Sequence, residues 1–309
     1  MKKYITKRIL VSAITILIIL LLLFCMLQYM PGSPFNDEKL SESQIEVLNQ
    51  KYGLDQPVII QFINYTKNVL KGDFGVSYSI SKNTDISKLL NTRLPVSFRI
   101  GGQAVILGAI VGILLGIAAA LKHGTWIDSV CTAISVLGVS LPSYVFALAM
   151  AYVFGYRTQF LPLLYDSAEV FASSVMPTIA LSMFSVATVA RFTRTELLEV
   201  LDSDYMMLAE SKGISGPTLI TRHALRNALV PIITVLAPLV VDLMIGSLVI
   251  EKIFSIPGIG SLMVTAIQSN DYNVTITIAF IYSAMYIILM LVVDILYGII
   301  DPRIRLAKD

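Results

Sequence analysis

Two aspartates, Asp242 and Asp294, stand inside long apolar runs, and a charged block from Asp204 to Pro231, DYMMLAESKGISGPTLITRHALRNALVP, stands between two others. An ionisable group within such a run is costly unless it faces water or a polar partner. Asp242, midway along its run, is therefore a candidate to line a substrate pathway, or alternatively to meet a neighbouring membrane subunit. Asp294, nearer the end of its run, reads as a structural anchor. No glycine-rich loop followed by Lys-Ser or Lys-Thr occurs, so the chain supplies no ATP site of that kind. No Ser/His/Asp or Cys/His constellation is suggested, and Cys25 and Cys131 are not spaced as a metal pair. Catalysis, a metal and a bound cofactor are thus not expected of this chain.

The elements that must position these residues are membrane helices. With 56% hydrophobic and 14% charged residues and a mean hydropathy of +0.76, the 309-residue chain lies outside the range of soluble domains. A net charge of +2 is too small to imply a nucleic-acid partner. Apolar runs able to cross about 30 Å of hydrocarbon are predicted at 9–30, 98–121, 131–155, 174–192, 229–250 and 276–299. The first is too long for a signal-peptide core and is read as a retained helix. Lysines and arginines concentrate before the first run, around 191–226 and after the sixth, which predicts that both termini are cytoplasmic. Residues 1–30 form the first helix, 31–96 an extracytoplasmic helical segment, 97–300 a five-span domain and 301–309 a cytoplasmic tail. Pro142, Pro177, Pro238 and Gly246 are candidates to loosen spans locally, and His123 and Trp126 read as interfacial anchors.

The block between the fourth and fifth spans, about 194–228, is predicted to be a cytoplasmic helix pair. Leu197, Leu198, Leu201, Tyr205 and Leu208 recur on one face of a helix running towards Lys212, whose charge suits a helix C-terminus. Gly213 can adopt the positive φ of a helix stop. Ser215 is placed to cap a second helix, with Pro217 in its first turn. Arg222 and Arg226 share a face there, with His223 beside them, before Asn227 and Pro231 lead into the next span.

This order of residues, Ala209, Gly213, Leu229 and Pro231, resembles the signature loop of importer-type ABC permeases, in the long Gly-to-Pro form of the peptide and nickel branch. Met207 stands where the general signature has glutamate, and Glu210 where this branch commonly has a basic residue. MPGSPF at 30–35, YGLDQP at 52–57, GDFGVS at 72–77, EKIFSIPGIG at 251–260 and DPRIR at 301–305 also look like the B-type permease of oligopeptide ABC importers. The resemblance implies a type I ABC importer permease fold, all-α, with six transmembrane helices, in a bacterial cytoplasmic membrane. It implies as partners a homologous C-type permease, two ATPase subunits that hold ATP and Mg, an extracytoplasmic peptide-binding protein and a peptide substrate. Asp204, Tyr205, Ala209, Lys212, Gly213, Ser215, Arg222, His223, Arg226, Asn227 and Pro231 would then couple to the ATPases. Dipeptide, nickel or glutathione import is the alternative cargo reading. A proton-coupled secondary transporter is a rival, but it leaves the 204–231 block unexplained.

Overall fold

The computed structural model describes residues 2–28, 42–245 and 247–300. The elements are α1 (Lys2–Gln28), α2 (Glu42–Tyr52), α3 (Val58–Leu70), α4 (Ile86–Leu121), α5 (Trp126–Ser140), α6 (Ser143–Met150), α7 (Val170–Leu201), α8 (Asp204–Ser211), α9 (Gly216–Thr218), α10 (Leu225–Ile245), α11 (Leu248–Ile253), α12 (Ile259–Gln268) and α13 (Tyr272–Ile300). Widened π-helical turns extend α6 through Arg157 and join α9 to α10. Among the described residues, the one departure from helix and loop is an isolated bridge between Val76 and Asp85.

Among the described residues, five stretches are long and apolar enough to cross a membrane: Thr6–Met26, Ile86–Leu121, Val170–Leu201, Pro231–Ile253 and Tyr272–Ile295. The third predicted span, 131–155, is not one straight helix. It starts earlier, at Trp126, and breaks between Ser140 and Ser143 with a bend of 104°. Pro142 is the cause: it lacks an N–H, and its ring pushes Leu141 to an extended backbone (φ −94°, ψ 129°) that ends α5. Pro177 and Pro238, flagged on the same grounds, sit inside uninterrupted helices. Gly246 and the motifs at 30–35 and 301–305 lie outside the described residues. The second and fourth spans also outrun their apolar limits, because α4 has 36 residues and α7 has 32. At 1.5 Å per residue these reach roughly 54 and 48 Å, well beyond a hydrocarbon core of about 30 Å.

The described chain divides into two compact units. One comprises Met1–Ser97 with Pro257–Leu291. One joint in it is the Asp271 carboxylate, fully buried, which accepts hydrogen bonds from Ser77 Oγ (2.6 Å) and from the backbone N–H groups of Tyr78, Ser79 and Ile80. Asn273 Nδ2 adds a bond to the Val76 carbonyl at 2.9 Å. A carboxylate fed by backbone donors in this way fixes loop 76–80 on the start of α13. In the same unit Leu20 and Phe24 of α1, Val58, Phe62 and Tyr65 of α3, and Ile276 and Phe280 of α13 form one apolar cluster. The Tyr65 hydroxyl meets Thr277 Oγ1 at 3.0 Å within it. Burial pushes that hydroxyl up to about 12, against the smaller opposing pull of the Thr277 hydrogen bond.

The other unit comprises Phe98–Ile256 with Val292–Asp309. Gly112 and Gly116 of α4 lie against α7 so closely that an added Cβ would fall 2.7 Å from Val189 Cβ and 2.5 Å from Thr193 Cβ. Together with Gly108 they form a four-residue repeat that lets two long helices approach along their lengths. Cys131, Ser135 and Gly138 give α5 a similarly lean buried face.

Candidate functional site

The charged block begins where α7 ends. The sequence predicts one amphipathic helix from Arg194 to Lys212, but the helix stops at Leu201 and restarts at Asp204, with Ser203 extended (φ −77°, ψ 151°) between them. That break rotates the pattern. Leu197 remains fully buried, whereas Tyr205 and Leu208 are exposed, and the buried residues of α8 are Met206 and Ala209. The predicted continuous apolar face therefore does not exist. Asp and Ser at 202–203 favour turns over helix interior, which is the local reason for the stop.

The end of α8 is closed by backbone geometry. Gly213 N–H donates to the Glu210 carbonyl at 2.9 Å, and Ile214 N–H reaches back to the Ala209 carbonyl at 3.2 Å. This paired pattern with φ +84° at Gly213 is a Schellman stop, and an L side chain at that φ would be strained although nothing crowds the site. Ser215 takes the extended backbone of an N-cap (φ −136°, ψ 169°) without a side-chain capping bond, and Pro217 stands in the first turn of α9. The turn is thus rigid by construction.

Beneath the turn, Met206, Ala209, Leu219, Ala224, Ala228 and Ile232 pack with Leu197 and Val189 of α7 and Ala120 of α4 in one apolar cluster. Ile214 and Leu229 pack against its edge. Ala224, Ala228 and Ile232 recur every four residues, so one face of the π turn and of α10 lies on this cluster. The structure brings Ala209 into that core and leaves Asp204, Tyr205, Lys212, Gly213, Ser215, Arg222, Arg226 and Asn227 exposed; His223 and Pro231 are half-buried. Pro231 does not start a new helix; α10 runs through it.

One arrangement escaped sequence reasoning altogether. Asp128, in the first turn of α5 and 6% exposed, is gripped by Arg194 of α7: Nε donates to Oδ1 at 2.7 Å and Nη2 to Oδ2 at 2.9 Å. The Gly124 N–H adds a bond at 3.1 Å, and His123 Nδ1 lies 3.0 Å from the same Oδ2. His123, read as an interfacial anchor, is part of this clamp, while Trp126 stands 74% exposed. A two-pronged arginine–carboxylate pair holds orientation as well as charge. It ties the start of α5 to α7 two turns before α7 gives way to α8. The glycine repeat of α4 carried a readable signal; this pair, between residues 66 apart, carried none.

Asp242 lies in α10 on an exposed stripe with Thr234 and Pro238, at four-residue spacing. Asp294 is half-buried in α13. Among the described residues no group of three or more His, Cys, Asp or Glu side chains could hold a metal ion.

Long crossing helices, a stiff polar helix pair between the fourth and fifth spans, and a lean-packed core define a membrane permease of the ABC importer type. Residues 112–306 match the family described as binding-protein-dependent transport system inner membrane component, and residues 1–101 match the family described as the N-terminal part of the membrane component of such systems. The chain belongs to this family. It is 41% identical, over 99% of its length and 100% of the relative's, to the dipeptide transport system permease protein DppB of Lactococcus lactis. It is 40% identical to the Bacillus subtilis protein of the same name, over 100% of this chain and 99% of that one. With the oligopeptide transport system permease protein OppB of Salmonella typhimurium it shares 35% identity, over 99% of this chain and 100% of that one. Among solved structures, an amino acid ABC transporter crystallised with histidines matches 68% of this chain and 93% of that one, with a TM-score of 0.55 and 16% identity, a likeness of fold.

Proposed function

We propose that the chain forms half of the translocation pathway of an ATP-driven peptide importer, paired with a homologous permease. Two ATPase subunits would bind ATP and Mg, and an extracytoplasmic protein would deliver the peptide. The observation that carries this reading is the split character of α8: Met206 and Ala209 are locked into the core shared with α4, α7 and α10, while Tyr205, Met207 and Leu208 stand 41%, 64% and 55% exposed beside Asp204, Glu210 and Lys212. An exposed apolar centre with a charged rim is the anatomy of a docking surface. Movement of an ATPase seated there would pass through a rigid turn into three long helices. Both termini would be cytoplasmic on this reading, and the turn would face the cytoplasm with them.

The exposed stripe Thr234, Pro238 and Asp242 would face the pathway, with Asp242 offering a transient partner to a peptide amino terminus. For the cargo, short peptides are favoured. The 40–41% relatives are named for dipeptides and the 34–35% relatives for oligopeptides, so both lengths belong in a test panel.

The test is reconstitution of the complex in nanodiscs, with ATP hydrolysis measured against dipeptides, pentapeptides, nickel complexes and glutathione. Peptide-stimulated hydrolysis, lost together with ATPase co-purification in a Tyr205→Ala, Leu208→Glu double variant of normal abundance, is expected. Stimulation by nickel or glutathione alone overturns the cargo reading, and unchanged co-purification overturns the docking reading.

A further inference from the structure

The helix α3 has an outward face that neither the cluster beneath it nor the transport reading uses. Ile59, Ile60, Ile63 and Leu70 are 73%, 43%, 43% and 82% exposed. The helix carries Lys67 in its last turn and no acidic residue, and the exposed Lys71 caps it. A soluble cap would bury or avoid such a stripe. The question is what lies opposite, and depth answers it.

Two contacts fix that depth. Phe24 of α1 meets Phe62 edge-on at a ring separation of 5.8 Å and Tyr65 at 6.2 Å. Phe24 stands inside the apolar run 9–30, and Leu20 of the same cluster stands four residues deeper, so this contact lies on the membrane-spanning part of α1. Independently, Tyr65 bonds Thr277, which stands at the start of the apolar run 276–299. The inner face of α3 is therefore level with the outermost part of two membrane spans, not above them.

At that level the described residues of this chain leave one side of α1 open. Only 11% of its apolar window is buried, and Ile18, Leu21, Leu22 and Met26 are exposed beside the aromatic contact. We infer that α3 is an interfacial membrane helix: Ile59, Ile60, Ile63 and Leu70 sit against phospholipid acyl chains, continuous with the lipid face of α1, and Lys67 and Lys71 reach the phosphates. Helices of this kind bury an apolar face about 5–10 Å into the headgroup boundary and use lysine stems to bring charge back to the surface. With the orientation proposed above, the leaflet is the outer one. The segment after the first span is then not a free extracytoplasmic cap but is pinned to the bilayer.

The test uses the whole complex in native membranes, with p-benzoylphenylalanine placed at Ile59, at Ile63 or, as a control on the exposed loop, at Lys82. After illumination, a phospholipid adduct on this chain at 59 and 63, several-fold above that at 82, is expected. A crosslink to another polypeptide at 59 and 63 assigns the face to a protein partner and overturns the inference. So does the absence of any product, which places the face in water. If the bulky residue blocks assembly, Ile63→Cys decides instead. With Cys25 and Cys131 replaced by Ser, a nitroxide attached at that position that is relaxed more by oxygen than by a water-soluble nickel chelate supports the lipid seat; the reverse order overturns it. Neither readout depends on which cargo the complex carries, so a failed cargo reading would leave this result standing.

Discussion

Each unit of the molecule is held by one buried aspartate, and the two are satisfied in different ways. Asp271 is fully buried and takes its hydrogen bonds from Ser77, from successive backbone N–H groups of one loop and from the Val274 N–H in the first turn of α13. Asp128 is 6% exposed and depends chiefly on one long side chain, Arg194, itself about a quarter exposed. Backbone donors cannot leave without unfolding the loop, whereas a guanidinium can swing away by rotamer changes. The first is a permanent joint. The second is a joint that can open, and it lies on the helix that leads into the proposed ATPase-docking turn.

The largest effect is expected at the permanent joint. Asp271→Ala strands the Ser77 hydroxyl and the four backbone donors of Tyr78, Ser79, Ile80 and Val274, at roughly 1–3 kcal/mol for each buried group left unpaired. Several such groups amount to a large fraction of ordinary domain stability. The chain should be nearly lost from the membrane, as read by immunoblot and size-exclusion fluorescence. Normal abundance of Asp271→Ala would mean that the loop finds other partners and that the contrast with Asp128 is wrong.

The opening joint should respond differently. Asp128→Asn removes the charge while keeping the shape, and its cost is expected to be about 2–3 kcal/mol, at the lower end for a broken buried pair because Arg194 reaches water. Abundance should fall only modestly, while ATP hydrolysed per peptide transported rises. Arg194→Lys retains the charge without the two-pronged fit, so a partial effect is expected of it. Equal loss of abundance in Asp128→Asn and Asp271→Ala would erase the distinction.

The same contrast explains what could be read from the sequence. The turn at Gly213 was legible because its parts are neighbours: lysine before, glycine at the stop and proline four residues on; Ser215 takes the backbone of an N-cap but not the capping bond expected of it. The six apolar runs were legible for the same reason. The two aspartate joints were not, since the Arg194 partner of Asp128 is 66 residues away and the Ser77 partner of Asp271 is 194 away. The α7–α8 break was missed because the leucine spacing continues unbroken across Asp202 and Ser203; local turn preference overrode periodicity there. The bend at Pro142 was flagged, but nothing local separates it from Pro177 and Pro238, which helices absorb.

Gly213→Ala isolates the turn itself. With nothing within 4 Å of an added Cβ, the cost is that of holding alanine at φ +84°, about 1 kcal/mol. Abundance should be unchanged and peptide-stimulated ATP hydrolysis reduced several-fold if the turn transmits motion. If Gly213→Ala is silent while Asp128→Asn uncouples, transmission runs through the α5–α7 clamp rather than through the end of α8.

The smallest effect belongs to Tyr65→Phe, which removes one hydrogen bond from the first unit for about 1 kcal/mol. Its value lies in its pH dependence. The folded hydroxyl is raised to about 12 from an ordinary value of 10, chiefly by burial. The stabilisation is therefore fully present below about pH 10, where the tyrosine is neutral in both folded and unfolded chains, and is lost as pH rises towards 12. Thermal stability of the wild type and of Tyr65→Phe should run parallel from pH 6 to 9 and converge above 10. Convergence at lower pH would show that water reaches the hydroxyl, and would separate α3 from the apolar cluster that sets its depth.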